Sequence, residues 1–152
     1  MLWICGWFSL RAGFTLLELV AALALLGIGL ANLIPVARQQ VDRMAVVGAR
    51  DEVEGLLHLA RREAVARGSS DLVLSVEPPR AVLLSGTDTL AEARLGRAAR
   101  PVRLSLSRGR SEVRLSFGPL GLGRVSSQTI RFERGDALAT LVVSSLGRVV
   151  RR

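Results

Sequence analysis

Three residues near the start of the sequence have the types and spacing needed for a proteolytic cut and a later ion pair. Gly13 directly precedes a long apolar run, and Glu18 lies inside that run, about one helical turn further on. A carboxylate inside a membrane span costs about 2.5–3.5 kcal/mol on insertion scales, so a simple anchor has no reason to keep it. Cleavage after Gly13 would leave a positive amine on Phe14. That amine could pair with Glu18 of a neighbouring copy and offset the cost of its burial.

The rest of the sequence offers no catalytic constellation. Its one histidine, His58, lies at the border between the charged and apolar faces of a predicted helix, where a surface or packing role is the ordinary interpretation. No Cys and His residues have metal-ligand spacing, and no glycine-rich phosphate loop opens a helix. The single cysteine, Cys5, precedes the predicted cut, so a mature chain would form no disulfide. We therefore predict no enzymatic activity, no metal and no cofactor.

Charge is the strongest compositional signal. The chain has 152 residues, which is room for one modest domain plus an anchor. All 21 of its basic residues are arginine, against 13 acidic residues, for a net charge of +8. Removal of residues 1–13 takes away Arg11 and leaves +7, since 20 minus 13 is 7. This charge either favours anionic partners such as nucleic acid, lipid headgroups or acidic protein faces, or only keeps the surface soluble.

The apolar run predicts a helix that spans a membrane. From Phe14 to Ile34 the only charged residue is Glu18, and such a helix is about 31 Å long, the thickness of a bilayer's hydrocarbon core. Pro35 removes a backbone donor and crowds the preceding turn. Together with Gly27 and Gly29, it predicts a bend or local melting near residues 29–35.

After the span, the sequence predicts that the same helix continues in water. Apolar residues recur there with helical spacing at Val53, Leu56, Leu57, Ala60 and Ala64, and this stripe needs a partner to pack against. Gly68 and the serines after it end the helix at about Arg67.

Beyond Gly68 the sequence changes to short runs separated by Gly, Pro and Ser, which is typical of strands. Residues 88–100 are interpreted as an irregular or helical connection, and Arg108-Gly109-Arg110 and Arg134-Gly135-Asp136 as hairpin turns. The predicted strands are Leu72–Val76, Ala81–Ser85, Val102–Ser107, Glu112–Phe117, Gln128–Glu133, Ala139–Ser144 and Arg148–Arg151. Antiparallel strands packed on one long helix give an α+β fold.

The run Gly13-Phe14-Thr15-Leu16-Leu17-Glu18-Leu19-Val20 resembles the processing site of type IV prepilins and type II secretion pseudopilins. The resemblance implies that a prepilin peptidase cuts after Gly13 and methylates the amine of Phe14. It places the family's assembly glutamate at Glu18 and its helix-kinking proline at Pro35. The apolar leader departs from the family, whose leaders are usually short and basic.

Three later stretches resemble the H-type minor pseudopilins and their FimT-like relatives, the GspH/FimT family. They are Ala60–Gly68, Phe117–Gly121 and Ser145–Val149. The resemblance implies a pilin-like fold in which a long N-terminal helix, transmembrane in its first half, packs on a C-terminal antiparallel β domain. The implied segments are a leader at 1–13, a transmembrane half-helix at 14–34, a periplasmic half-helix at 35–68 and a globular β domain at 69–152.

Two functions follow from this resemblance. The favoured one is a minor pseudopilin of the type II secretion system, anchored by a single pass in the inner membrane with its C-terminal domain in the periplasm. It would join other pseudopilins in a filament that drives protein secretion across the outer membrane. The alternative is a FimT-like minor pilin that binds DNA for natural competence through Arg148, Arg151 and Arg152. DNA is the less favoured partner, because both Trp residues precede Gly13 and there is no Tyr to stack on bases.

Overall fold

The computed structural model describes residues 15–95, 102–124 and 127–152, except for the side chain of Asn32. The leader with Gly13, the new terminus at Phe14 and part of the connection after the third strand lie outside the described residues. The chain forms two compact units, one ending at Ala37 and one from Arg38 to Arg152.

One helix, α1, runs from Leu16 to Arg67. At its start, the backbone N–H of Glu18 donates a hydrogen bond to Thr15 Oγ1 at 3.2 Å, the bond made by an N-cap threonine. At its end, Gly68 has a φ of 89°, which a glycine adopts readily, and this confirms the predicted C-cap. The helix is continuous through Pro35, so the local melting predicted there is not observed, and a bend at Pro35 remains a prediction.

Eight strands follow among the described residues. They are β1 (Ser70–Ser75), β2 (Arg80–Ser85), β3 (Asp88–Arg94), β4 (Arg103–Leu106), β5 (Glu112–Phe117), β6 (Gln128–Arg134), β7 (Ala137–Val143) and β8 (Val149–Arg151). They form two four-stranded sheets, ordered β3-β2-β1-β5 and β4-β6-β7-β8. Every pairing in both sheets is antiparallel, as the sequence predicts.

The predicted turn at Gly135 is a hairpin turn, because Arg134 pairs with Ala137 across it. The prediction of a hairpin at Gly109 is wrong. A short 3-10 turn, Ser107–Gly109, carries the chain from β4 in one sheet to β5 in the other. Arg108 and Gly109 there have φ values of 65° and 63°, and the value is unusual for an arginine. β4 pairs with β6 and β5 pairs with β1, so the strands that flank this turn do not form a hairpin.

The prediction of an irregular or helical connection at residues 88–100 is wrong in its first half, where β3 forms. Its sequence contains Leu, Ala, Glu and Arg, which favour helices, and this explains the interpretation. Pairing with β2 outweighs that local preference. β3 lies at one edge of its sheet, and only one of its residues, Ala93, is buried.

The described residues form one hydrophobic core, to which the second part of α1 and both sheets contribute. All five residues of the predicted stripe are buried, and Val46 and Ala49 extend it toward the N-terminus. They pack against alternate residues of both sheets, including Leu72, Leu115, Phe117, Ile130, Phe132 and Leu141. The alternation of buried and exposed residues in β5 shows why each strand presents one face to this core.

Candidate functional site

The first part of α1 exposes a large apolar surface. Its large apolar residues are exposed: Leu16, Leu17, Leu19, Val20, Leu23, Leu25, Leu26, Ile28, Leu30, Leu33, Ile34 and Val36. By length and composition the helix is able to cross a membrane. Glu18 is exposed in its first turn, among these apolar neighbours. Gly13 and Phe14 are outside the described residues, so the cleavage site remains a prediction.

The three C-terminal arginines have different surroundings. Arg151 Nε lies 2.7 Å from Glu54 Oε2 on α1. This hydrogen bond, and the charge of the same carboxylate, raise the pKa of Arg151 above its ordinary value. Arg148 and Arg152 are exposed, and no ion pair is found for either among the described residues. One of the three predicted DNA contacts is therefore already engaged with a carboxylate.

A fourth arginine, upstream of these three in sequence, also forms an ion pair within the domain. Arg134, at the end of β6, has its Nε 2.7 Å from Asp42 Oδ1, and its side chain is only 12 % exposed. The same carboxylate lies against Gly135, where an added Cβ would be 2.9 Å from Asp42 Oδ2. This pair joins the β6–β7 turn to α1, so Arg134 is a structural residue.

A groove of about 370 Å³ lies beside the C-terminal strand. Its walls come from α1, the β5–β6 connection and the β7–β8 connection. The lining residues are Glu54, His58, Arg61, Gly121, Leu122, Leu146, Arg148 and Val149. His58 is exposed at the helix surface, and its Nε2 lies 3.9 Å from Glu54 Oε1.

Two glycines hold the connections at one side of the groove together. The Gly123 N–H donates to Leu146 O at 3.1 Å, and a Cβ on Gly123 would lie only 2.9 Å from Gly147 N. Gly147 has a φ of 86°, and a Cβ there would meet Phe117 Cε1 at 3.0 Å. Backbone this close to backbone and to an aromatic ring requires residues without side chains.

Arg61 lies at the inner side of the groove, and sequence reasoning missed it. Its guanidinium carbon is 5.9 Å from the centre of the Phe117 ring, within the range of a cation–π contact. Arg61 Nε and Nη2 are buried and have no hydrogen-bond partner among the described residues. The sequence places Arg61 on the charged side of α1 and carries no sign that β5 and the β7–β8 connection close over it.

Comparison with known proteins identifies the family. The prokaryotic N-terminal methylation motif matches residues 9–31. The model of type II transport protein GspH matches residues 49–147, about two thirds of the chain. The chain belongs to the GspH family. No curated protein matches it.

A solved structure supports the fold of this GspH-family chain. It is similar to the crystal structure of the type IV minor pilin FimU from Pseudomonas aeruginosa, with a TM-score of 0.58 and 19% identity. The similarity covers 72% of this chain and 90% of FimU. The pilin-like α+β fold predicted from the sequence is confirmed.

The two family matches cover different candidate residues. The methylation motif includes Gly13, Phe14 and Glu18, and it supports anchoring of the chain in a membrane by its N-terminal helix. The GspH match includes Arg61 and ends at Gly147, directly before Arg148. The groove therefore lies mainly within the matched region, whereas the three C-terminal arginines follow it. Among the residues that the structure describes, no group of His, Cys, Asp and Glu could hold a metal ion.

Proposed function

We propose that this GspH-family chain is a minor pseudopilin of the type II secretion system. The observation that carries the proposal is the division of one helix between two environments, within a chain that matches both the methylation motif and GspH. Its first part exposes an apolar surface, whereas Val53, Leu57 and Ala60 in its second part are buried in the core of a β domain. This division suits a subunit whose helix bundles with other helices while its domain faces water.

The proposed life cycle follows the residues in order. A prepilin peptidase cuts after Gly13 and methylates Phe14, and the chain stays in the inner membrane by a single pass with its domain in the periplasm. The amine of Phe14 then pairs with Glu18 of a neighbouring subunit as the filament grows. The processing chemistry belongs to the peptidase, and this chain contributes no catalytic group of its own.

DNA capture for natural competence is the second candidate function. It is favoured by the exposed side chains of Arg148 and Arg152, which are free to approach phosphates. The pairing of Arg151 with Glu54 weighs against it, since this guanidinium already has a carboxylate partner and is less available to a phosphate. The secretion role therefore remains the favoured proposal.

Deletion of the gene tests the two functions against each other. We expect folded secreted proteins to accumulate in the periplasm and to fall in the culture medium, with DNA uptake unchanged. Expression of the intact chain should restore secretion, and the triple variant Arg148→Gln, Arg151→Gln, Arg152→Gln tests these arginines in the DNA-uptake assay. A loss of DNA uptake with normal secretion, not restored by the triple variant, would instead make DNA capture the function.

A further inference from the structure

We propose that a pocket at the edge of the sheet β4-β6-β7-β8 binds the phosphate group of a phosphate monoester, with Arg108 and Arg131 as the side chains that bind its oxygens. The pocket has a volume of about 330 Å³ and lies where β4 ends and β6 begins. Its lining residues are Ser105, Leu106, Ser107, Arg108, Thr129 and Arg131. The inference goes beyond the secretion role and does not rest on it.

Strand pairing brings the polar lining residues to one face of this sheet. Ser105 is opposite Arg131 across the β4–β6 pair, so their side chains are neighbours on the same face. Thr129, two residues before Arg131 on β6, lies on that face too, because Gln128 and Ile130 on either side of it are buried. A guanidinium and two hydroxyls therefore meet at the pocket, and no carboxylate is found among the described residues that line it.

Both arginines of the pocket lack an acidic partner within the part of the chain that the structure describes. In the same strand, by contrast, the guanidinium of Arg134 is held by Asp42 at 2.7 Å. Arg108 and Arg131 are exposed, and no ion pair is found for either of them among the described residues. Two positive charges at one pocket without a counter-ion favour a bound anion.

Arg108 holds a backbone conformation that glycine adopts far more readily. Its φ is 65°, and every other described residue with a positive φ is a glycine. The preceding residue, Ser107, is fixed by a hydrogen bond that its hydroxyl donates to Oε1 of the buried Gln128. Backbone strain of this kind occurs at functional sites. An arginine that is strained here, and whose side chain has no described ion-pair partner, indicates a side chain that serves a ligand.

The balance of charge favours a phosphate monoester over other anions. The two guanidiniums carry two positive charges at any physiological pH. A phosphate monoester carries about −1.5 to −2 at pH 7 and offers three acceptor oxygens, which is enough for two guanidiniums and a hydroxyl. A carboxylate, like each phosphodiester of a nucleic acid, carries one negative charge and would leave the pocket with an excess of positive charge.

The test compares two probes that share a phenyl ring and differ in their anionic group. The full chain, solubilised in detergent with isotope-labelled arginine side chains, is titrated near neutral pH with phenyl phosphate and, separately, with benzoate. The Nε–H resonances of Arg108 and Arg131 report binding. We expect phenyl phosphate to shift both resonances and to bind about tenfold or more tightly than benzoate.

Three variants separate binding from stability. Glycine suits a φ of 65°, so Arg108→Gly should melt at the temperature of the parent chain or higher, and yet lose the preference for phenyl phosphate. Arg131→Gln should lose that preference as well. Arg80→Gln is the matched control, because Arg80 is an exposed arginine of the other sheet with no ion pair among the described residues, and it should keep the preference.

A third probe, dihexanoyl phosphatidic acid, distinguishes the two sources of such a phosphate group. Tighter binding of this lipid than of phenyl phosphate assigns the pocket to a lipid headgroup, and weaker or equal binding assigns it to a soluble ester. Equal binding of phenyl phosphate and benzoate, no binding of either, or a preference that survives Arg108→Gly and Arg131→Gln would overturn the proposal. So would a short DNA duplex that, counted per phosphate, binds more tightly than phenyl phosphate, since the pocket would then belong to a nucleic-acid site.

Discussion

Leu57→Ala is expected to lower the free energy of unfolding by about 2–5 kcal/mol. Leu57 is fully buried at the centre of the stripe, in a core to which both sheets contribute, so its truncation removes buried apolar atoms and leaves a cavity. A domain of this size has only about 5–15 kcal/mol of stability to lose. Denaturant unfolding of the full chain in detergent, followed by circular dichroism, measures the change.

Leu138→Ala is the matched control, since it removes the same atoms from a leucine on β7 that is 61% exposed. It should change the free energy of unfolding by about 0.5 kcal/mol or less. Equal effects of the two substitutions would show that the stripe on α1 is not the centre of the core.

Glu18→Ala is expected to leave membrane insertion and cleavage intact but to remove most of the subunit from the filament. The substitution retains the backbone N–H that bonds Thr15 Oγ1, so the start of the helix keeps its cap. Only the carboxylate is lost, and with it the partner of a neighbour's amine. If that pair is worth more than about 1.4 kcal/mol, the amount of chain that co-purifies with other filament subunits should fall about tenfold or more.

Two further variants separate the charge of Glu18 from its place on the helix. Glu18→Val should behave like Glu18→Ala, because both remove the carboxylate. Leu19→Ala changes the next residue, which is also exposed, and should assemble normally. Normal co-purification of Glu18→Ala would show that Glu18 has no role in assembly.

Much of the fold was predictable because it depends on patterns that are local in sequence. The spacing of Leu56, Leu57 and Ala60 indicated the buried face of α1, and Gly68 marked its end. β3 was missed because its residues favour a helix and only its pairing with β2 makes it a strand. The turn at Arg108 was misinterpreted because the choice between a hairpin and a change of sheet depends on which strands pair, and that is decided far away in sequence.

The candidate site residues also differ in whether their signals are local in sequence or depend on distant partners. Gly13, Phe14 and Glu18 are predicted from one contiguous motif and Pro35 from its position after the apolar run, and the roles of all four remain predictions. The C-terminal arginines were named without Glu54, which is 97 residues from Arg151 in sequence. By sequence alone, Arg61 is one of several charged residues on the solvent-facing side of α1. Its guanidinium is partly buried because the folded sheets bring Phe117 and the connection at Gly147 against it.

The most direct test of the central claim, that the chain is processed as a pseudopilin before it assembles, is the intact mass of the protein extracted from the membranes of its own cells. The account predicts the mass of residues 14–152 plus one methyl group, with the methyl group located on the amine of Phe14 by fragmentation. A mass that retains residues 1–13, or that begins after the apolar run, would contradict it.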